Sequence, residues 1–308
     1  MRLAAPEHGG VRASEAASVR KRRLSDVLGV ALDGVDLARP LSEADFREIE
    51  QAFFEGQVLA IKGQDLTPEQ FLAFARRFGP PEPHVIDTFH HPDAADILIL
   101  SNRRKPDGSP AGLADGGTYF HTDYSYLQVP ARVTMLYSVE VPSKGGDTLF
   151  ADMYAAYDDL SAAMKQRIDG LVVRHHYGNR DDLDEQSRTA ASRLSDKQKD
   201  KVTWVRHKLV RTHYGTGRKA LYGVSGSSFD IDGMARREGA ALLDELKRHA
   251  LRDKYVYSYP YEVGDVVLWD DLATLHSATL TEPDDPRTLW RITVKEPCFE
   301  TALRASSA

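Results

Sequence analysis

The sequence predicts a mainly β protein, a β-sandwich or jelly roll with helices packed outside it. Three observations predict this. Short apolar or alternating runs recur along the chain, as at 57–61 (QVLAI), 97–100 (ILIL) and 266–270 (VVLWD). Helical patterns are few and lie scattered among these runs, without the regular β-α-β alternation of a parallel sheet. No self-similarity occurs at solenoid or propeller spacing.

The elements follow in order. Residues 1–18 are rich in Ala, Gly, Glu and Arg, and the reading is a disordered tail over 1–23 with one domain over 24–308. The basic run Val19-Arg20-Lys21-Arg22-Arg23 reads as a solvated strand or tail edge rather than an address or anion patch. Residues 29–36 alternate apolar and polar and form a strand. Ser42 caps a helix running to about Phe54. Thr67-Pro68-Glu69-Gln70 combines a cap, a first-turn proline and an acidic first turn, so a helix runs to about Phe78, where Gly79-Pro80-Pro81 stops it. Residues 105–117 are dense in Gly, Pro, Asp and Ala and form a loop, a candidate lid. Strands follow at 133–139 and 148–151, a helix at 154–168 and a strand at 171–176. Residues 179–200 are polar without apolar period and read as an excursion from the domain. Runs 210–213 and 220–222 flank Gly215-Thr216-Gly217 as a hairpin, and 232–251 is an amphipathic helix carrying Leu242, Leu243 and Leu246. Strands at 255–261, 265–270 and 290–294 complete the chain.

Composition narrows the function. A chain of 308 residues, 42% hydrophobic and 28% charged, can bury a sizeable core. Its net charge of −6 argues against a nucleic-acid partner. One cysteine, Cys298, permits neither an internal disulfide nor a thiolate-rich metal site, and a reducing, cytoplasmic location is expected. No apolar run reaches the roughly 18 residues of a membrane span, so no membrane partner is expected either.

The chemistry sits in three places. Phe120-His121-Thr122-Asp123 contains a His-x-Asp, whose side chains share one face if the segment is a strand. By itself this is weak, since a surface histidine beside a helix-capping aspartate looks the same. His276, beyond the buried run 266–270, supplies a second imidazole. Two histidines and one carboxylate make the facial triad of non-haem Fe(II) oxygenases, which leaves positions open for a 2-oxo acid and O2. Arg287 and Arg291 follow, each able to grip a carboxylate through two parallel hydrogen bonds, or equally to form a surface pair on an edge strand.

Together, His121-Thr122-Asp123, Gly145-Gly146-Asp147-Thr148 and the ending Trp269-Asp270 to His276, Arg287 and Arg291 resemble the taurine dioxygenase and dichlorophenoxyacetate dioxygenase family. The resemblance spans about Leu28 to Lys295. It implies a double-stranded β-helix, the cupin-like jelly roll, with 24–308 as the catalytic domain. It also implies Fe(II) held by His121, Asp123 and His276, and 2-oxoglutarate and O2 as co-substrates. Thr148 and Arg287 then bind the distal carboxylate of 2-oxoglutarate, and Arg291, with His84, binds the substrate. That substrate is a small anion: a sulfonate, alkyl sulfate, aryloxyalkanoate or other carboxylate, hydroxylated and in some cases split. Desaturation, epoxidation or cyclisation at the same iron is the alternative, and a non-catalytic jelly-roll binding protein is a third reading. Family members commonly form dimers or tetramers.

Two segments depart from the family pattern. Many members carry an Asn shortly before the first iron histidine, where this chain has Gly116-Gly117-Thr118-Tyr119. His213-Tyr214-Gly215 replaces the usual His-Pro. His90-His91 reads as solvated loop, and His175-His176 alternates faces on a strand, so neither pair suggests a second metal site.

Overall fold

The computed structural model describes residues 19–114, 116–177 and 203–296. Eight strands form the main sheet. Across it lie Arg20–Arg23, Val30–Asp33, Val58–Ile61, Val266–Asp270, Ala131–Glu140, Thr288–Lys295, Ala94–Ser101 and His90–His91. All neighbours run antiparallel except Val30–Asp33 and Val58–Ile61, which are parallel. A second, three-stranded sheet sets Thr148–Asp152 between Val256–Tyr259 and Thr274–Ala278.

The main sheet is covered on both faces, which is why Val58–Ile61 and the first four residues of Val266–Asp270 read as unbroken apolar runs. In the 266–270 strand, Val266 and Leu268 point to the helical side, against Phe46, Phe53, Phe71 and Phe74. Val267 and Trp269 point the other way and pack with Phe150 and Tyr259 of the second sheet. That two-sheet sandwich is the jelly roll expected, and its interior holds the site described below.

Two helices cover the outer face. Glu43–Gly56 begins at Ser42, whose hydroxyl accepts from the Asp45 amide while Asp45 returns a bond to the Ser42 amide. Pro68–Ala75 repeats this device with Thr67 and Gln70. It ends three residues before the Phe78 expected, because residues 76–78 close into a turn before Gly79. A second helical layer packs on a third sheet of Ser228–Ile231, Val172–His175 and Val205–Lys208. Here the helix expected over 154–168 is two, Met153–Asp158 and Ala162–Ile168, each with its own cap at Asp152 and Ser161. The last helix is Arg236–Ala250, starting later than expected because residues 232–234 form a turn through Gly233.

Two further expectations change. Arg20–Arg23, counted with the disordered tail, is instead the solvated strand its basic run allowed, an exposed edge strand paired with Val30–Asp33, and Lys21 and Arg22 are neutralised by Glu55 and Asp33. His90-His91 is not solvated loop: His90 lies against the His84 carbonyl and His91 against the Trp290 ring, both in a short edge strand. The excursion expected at 179–200 lies outside the described residues.

Candidate metal centre and co-substrate site

His121 and His276 are brought together by the backbone. Each donates its amide to the other's carbonyl at 2.9 Å, so they form a hydrogen-bonded antiparallel pair with rings 4.2 Å apart. His276 sits mid-strand in Thr274–Ala278, backed by Trp269 at 4.6 Å. His121 occupies only an isolated bridge. The chain then turns at Asp123, and Tyr124 takes the left-handed φ of 51°. The His-x-Asp is therefore not on a regular strand as expected, yet the carboxylate still meets both imidazoles.

The ligand atoms of His121, Asp123 and His276 lie within 4.8 Å of one another. Nε2 of His121 is 3.5 Å from Asp123 Oδ1, and Nε2 of His276 is 3.4 Å from Oδ2. Metal–ligand bonds of roughly 2.0–2.2 Å put donors at right angles about 3 Å apart, so the trio is close to a facial set. Protonation suits a cation as well. Burial pushes the Asp123 carboxyl up, but Arg291, then His276 and His121, outweigh it and hold it well below the usual carboxylate range. Burial, aided by His121, holds the His276 imidazole well below its ordinary pKa, so its nitrogen lone pair is available. His121 Nδ1 lies 2.8 Å from the Tyr119 carbonyl, the arrangement that fixes a metal-binding tautomer on Nε2. Among the described residues, Asp123 Oδ2 is buried without a hydrogen-bond partner, which fits a group that expects a metal.

The two arginines divide. Arg291 lies in the Thr288–Lys295 strand with its guanidinium 2.6 Å from Asp123 Oδ1, a charge contact without hydrogen-bond geometry. Its plane sits over the Tyr124 ring at 5.6 Å. Arg287 precedes that strand, and a bulge between Thr288 and Leu289 interrupts the alternation. The two arginines therefore do not share one strand face. Arg287 is buried instead near Tyr261, whose hydroxyl is 2.9 Å from Thr148 Oγ1. Its Nε would lie 3.2 Å from a side chain at Gly146, so the glycine pair before Asp147 gives it room. Burial lowers the Arg287 pKa despite Tyr261 and Asp147, so its neighbours leave part of the lost hydration uncompensated. A ligand carboxylate would supply the remainder.

His84 is half-buried with its ring 6.0 Å from that of Tyr124. Burial, then the Arg291 cation, brings its pKa down to about 3, which places it electrically beside the arginine. Sequence reasoning missed Asp271. Its Oδ1 accepts the Asp123 amide at 3.2 Å and its Oδ2 accepts the Thr134 hydroxyl at 2.8 Å. The available signal was a second acid, Asp270-Asp271, closing a fully apolar strand. Tyr261 was also missed, for want of any local motif.

A family model, taurine catabolism dioxygenase TauD, TfdA family, matches residues 20–293. The 2,4-dichlorophenoxyacetate dioxygenase of Cupriavidus pinatubonensis, named as α-ketoglutarate-dependent, is 34% identical over 90% of this chain and 97% of its own. Pentalenolactone F synthase of Streptomyces arenae is 33% identical over 86% of this chain and 91% of its own. The crystal structure of AAD-2 with Mn(II) and N-oxalylglycine superposes with a TM-score of 0.74 at 30% identity, covering 91% of this chain and 98% of that one. Matched nearly end to end, and with a His-Asp-His cluster inside a jelly roll, this chain belongs to the TauD/TfdA family of Fe(II)- and 2-oxoglutarate-dependent dioxygenases.

Proposed function

We propose that the enzyme hydroxylates a small anionic substrate whose charged group is held by Arg291 and His84. In this reading His121, Asp123 and His276 hold Fe(II), and Arg287 with Thr148 takes the distal carboxylate of 2-oxoglutarate. The carrying observation is a buried ligand cluster flanked by two buried guanidiniums, one beside the carboxylate ligand and one beside Thr148 and Tyr261. Bound iron, with 2-oxoglutarate and O2, supplies the oxidising power to attack a C–H bond. The chain contributes the rest. A neutral His276 imidazole and an ionised Asp123 provide donors of the required charge. Arg287 neutralises the co-substrate, and the Arg291 side fixes which carbon of the substrate faces the metal.

Tyr119, Tyr124, Tyr126 and Tyr177 gather on this side, with Tyr126 and Tyr177 rings 4.6 Å apart. That wall favours a substrate with an apolar or aromatic body, in keeping with the aryloxyalkanoates named for two groups of relatives, over an alkyl sulfate or a small sulfonate. Loss of a leaving group follows when the hydroxylated carbon also bears an ether or ester oxygen. The same reading places the enzyme in the cytoplasm as a dimer or tetramer, to be checked by light scattering. Among the described residues no helix is long and apolar enough to cross a membrane.

Asp123→Ala should abolish Fe(II)-dependent succinate formation, and full turnover by that variant would refute the triad. Arg291→Ala should raise the substrate KM more than the 2-oxoglutarate KM. The reverse order would mean that the two arginines exchange roles. Phenoxyacetate, taurine, an alkyl sulfate and an N-acyl amino acid, screened by succinate release, would identify the substrate class. The likeness to pentalenolactone F synthase supports a second reading, desaturation, epoxidation or cyclisation at the same site. Product mass separates hydroxylation, which adds one oxygen, from desaturation, which removes two hydrogens.

A further inference from the structure

Two glycines close on His121 from different directions. Gly117 has a φ of +79°, and a side chain there would put its Cβ 2.7 Å from His121 Cε1 and 3.3 Å from Nε2. Gly226 has a φ of +72°, and its Cβ would lie 2.5 Å from His121 Cβ and 3.0 Å from Cα. One glycine therefore bears on the ring edge next to the ligating nitrogen, and the other on the root of the side chain. The remaining sides are occupied. The Tyr119 carbonyl holds Nδ1, and the Tyr119 and His276 rings stand 5.1 and 4.2 Å away. The Gly117 carbonyl accepts the Ala278 amide at 2.8 Å, which ties the segment before His121 to the strand carrying His276. Gly117 also lies in the stretch where this chain departs from the family pattern.

We infer that Gly117 and Gly226 are positioning residues for the metal ligand His121, their missing side chains allowing two backbone segments to fix the imidazole. This rests on the reading of His121 as a ligand. Magnitudes support the assignment. A Cβ at Gly117 falls about 0.7 Å short of the 3.4 Å at which ordinary contact begins, and the atoms in its way belong to the imidazole itself. Metal sites tolerate about 0.2 Å in ligand distance, so a ring displaced to relieve this contact leaves its bonding position. At Gly226 the obstacle is the His121 main chain and Cβ, which cannot yield by a rotamer change. The segment carrying Gly226 or the His121–His276 pairing must give instead.

The structure offers matched controls. Gly233 shares the +79° φ of Gly117 and Gly170 shares the +72° φ of Gly226, and neither has an atom within 4 Å of its would-be Cβ. Alanine at each pair imposes the same backbone strain, and only one member of each pair meets His121. The four alanine variants and the unsubstituted full chain would be titrated anaerobically with Co(II), following the visible absorption of the bound ion, and melted without metal. Gly117→Ala and Gly233→Ala are expected to melt comparably, while Gly226→Ala should lose more than Gly170→Ala because its Cβ meets the His121 backbone. Gly117→Ala and Gly226→Ala should weaken Co(II) binding by about 10–100-fold and alter its spectrum, while Gly233→Ala and Gly170→Ala bind as the unsubstituted chain does. Equal Co(II) affinity in Gly117→Ala and Gly233→Ala would overturn the inference and leave the metal site standing. This first pair decides the matter even if Gly226→Ala does not fold. Failure of the unsubstituted chain to bind Co(II) at all would overturn the metal reading and the inference with it.

Discussion

At the scale of single residues, the site depends on groups that never touch a ligand. Asp271 accepts the amide of Asp123 and the hydroxyl of Thr134, and burial with the nearby Asp123 charge pushes its own carboxyl up. It thereby fixes the peptide from which the metal-binding carboxylate projects. Asp271→Ala leaves the Asp123 amide unpaired in the interior, while Thr134 keeps Thr293 at 3.1 Å. The expected cost is about 1–3 kcal/mol in urea unfolding, together with weaker metal binding. An unchanged unfolding midpoint would show that water replaces the carboxylate without loss. Asp271 was hidden in the sequence because an acid after a strand looks like any turn acid. His121 and Asp123 were legible because two residues of fixed chemistry stand two apart in every conformation.

At the scale of elements, one clamp orients the second histidine's strand. His213 Nε2 lies 2.8 Å from Asp270 Oδ2, both side chains fully buried. Its Nδ1 accepts the amides of Gly215 and Thr216, so Nε2 carries the proton and donates it to Asp270. Asp270 Oδ1 in turn accepts the amides of Leu272 and Ala273, forming the turn that leads to His276. The departure from His-Pro at this segment thus leaves the histidine's structural bonds intact. His213→Ala should destabilise the fold by about 2–4 kcal/mol, read from the urea midpoint. It should also lower metal affinity, since the turn before His276 loosens. The hairpin at 210–222 and the caps Ser42 and Thr67 were visible in the sequence, because caps and turns are decided within a few residues. The split of the 154–168 helix was less so. Its break depends on Ser161 capping a new helix against the packed core rather than on a proline or glycine.

At the scale of the whole molecule, buried imidazoles make stability depend on pH. Burial, then Arg211, lowers the His207 pKa from 6.5 to about 4, and burial, then His207, holds that of His175 well below its ordinary value. Both rings pack with Tyr222 inside the third sheet. Below pH 6.5 the unfolded chain binds protons that the native rings refuse. The stability contributed by neutral His207 is therefore complete above 6.5 and is lost as pH falls towards about 4. The loss from His207 amounts to roughly 3 kcal/mol over that window. Urea midpoints across it should slope less for His207→Gln than for the unsubstituted chain. That comparison isolates the histidine, since Asp271 and Glu296, with raised pKa, act in the opposite sense. Equal slopes would place the pH dependence elsewhere.

The sequence by itself determined the architecture class and the reactive residue types: apolar runs buried on both faces, capped helices, and a His-x-Asp with a distant histidine and two arginines. These follow from neighbours along the chain, where spacing and chemistry act at short range. Only the tertiary structure decided that His121 and His276 exchange hydrogen bonds, that a bulge sends Arg287 towards Thr148 and Tyr261 while Arg291 faces Asp123, and that Gly117 and Gly226 close on one imidazole. Those relations depend on strand register and sheet stacking, which are set by packing between segments far apart in sequence.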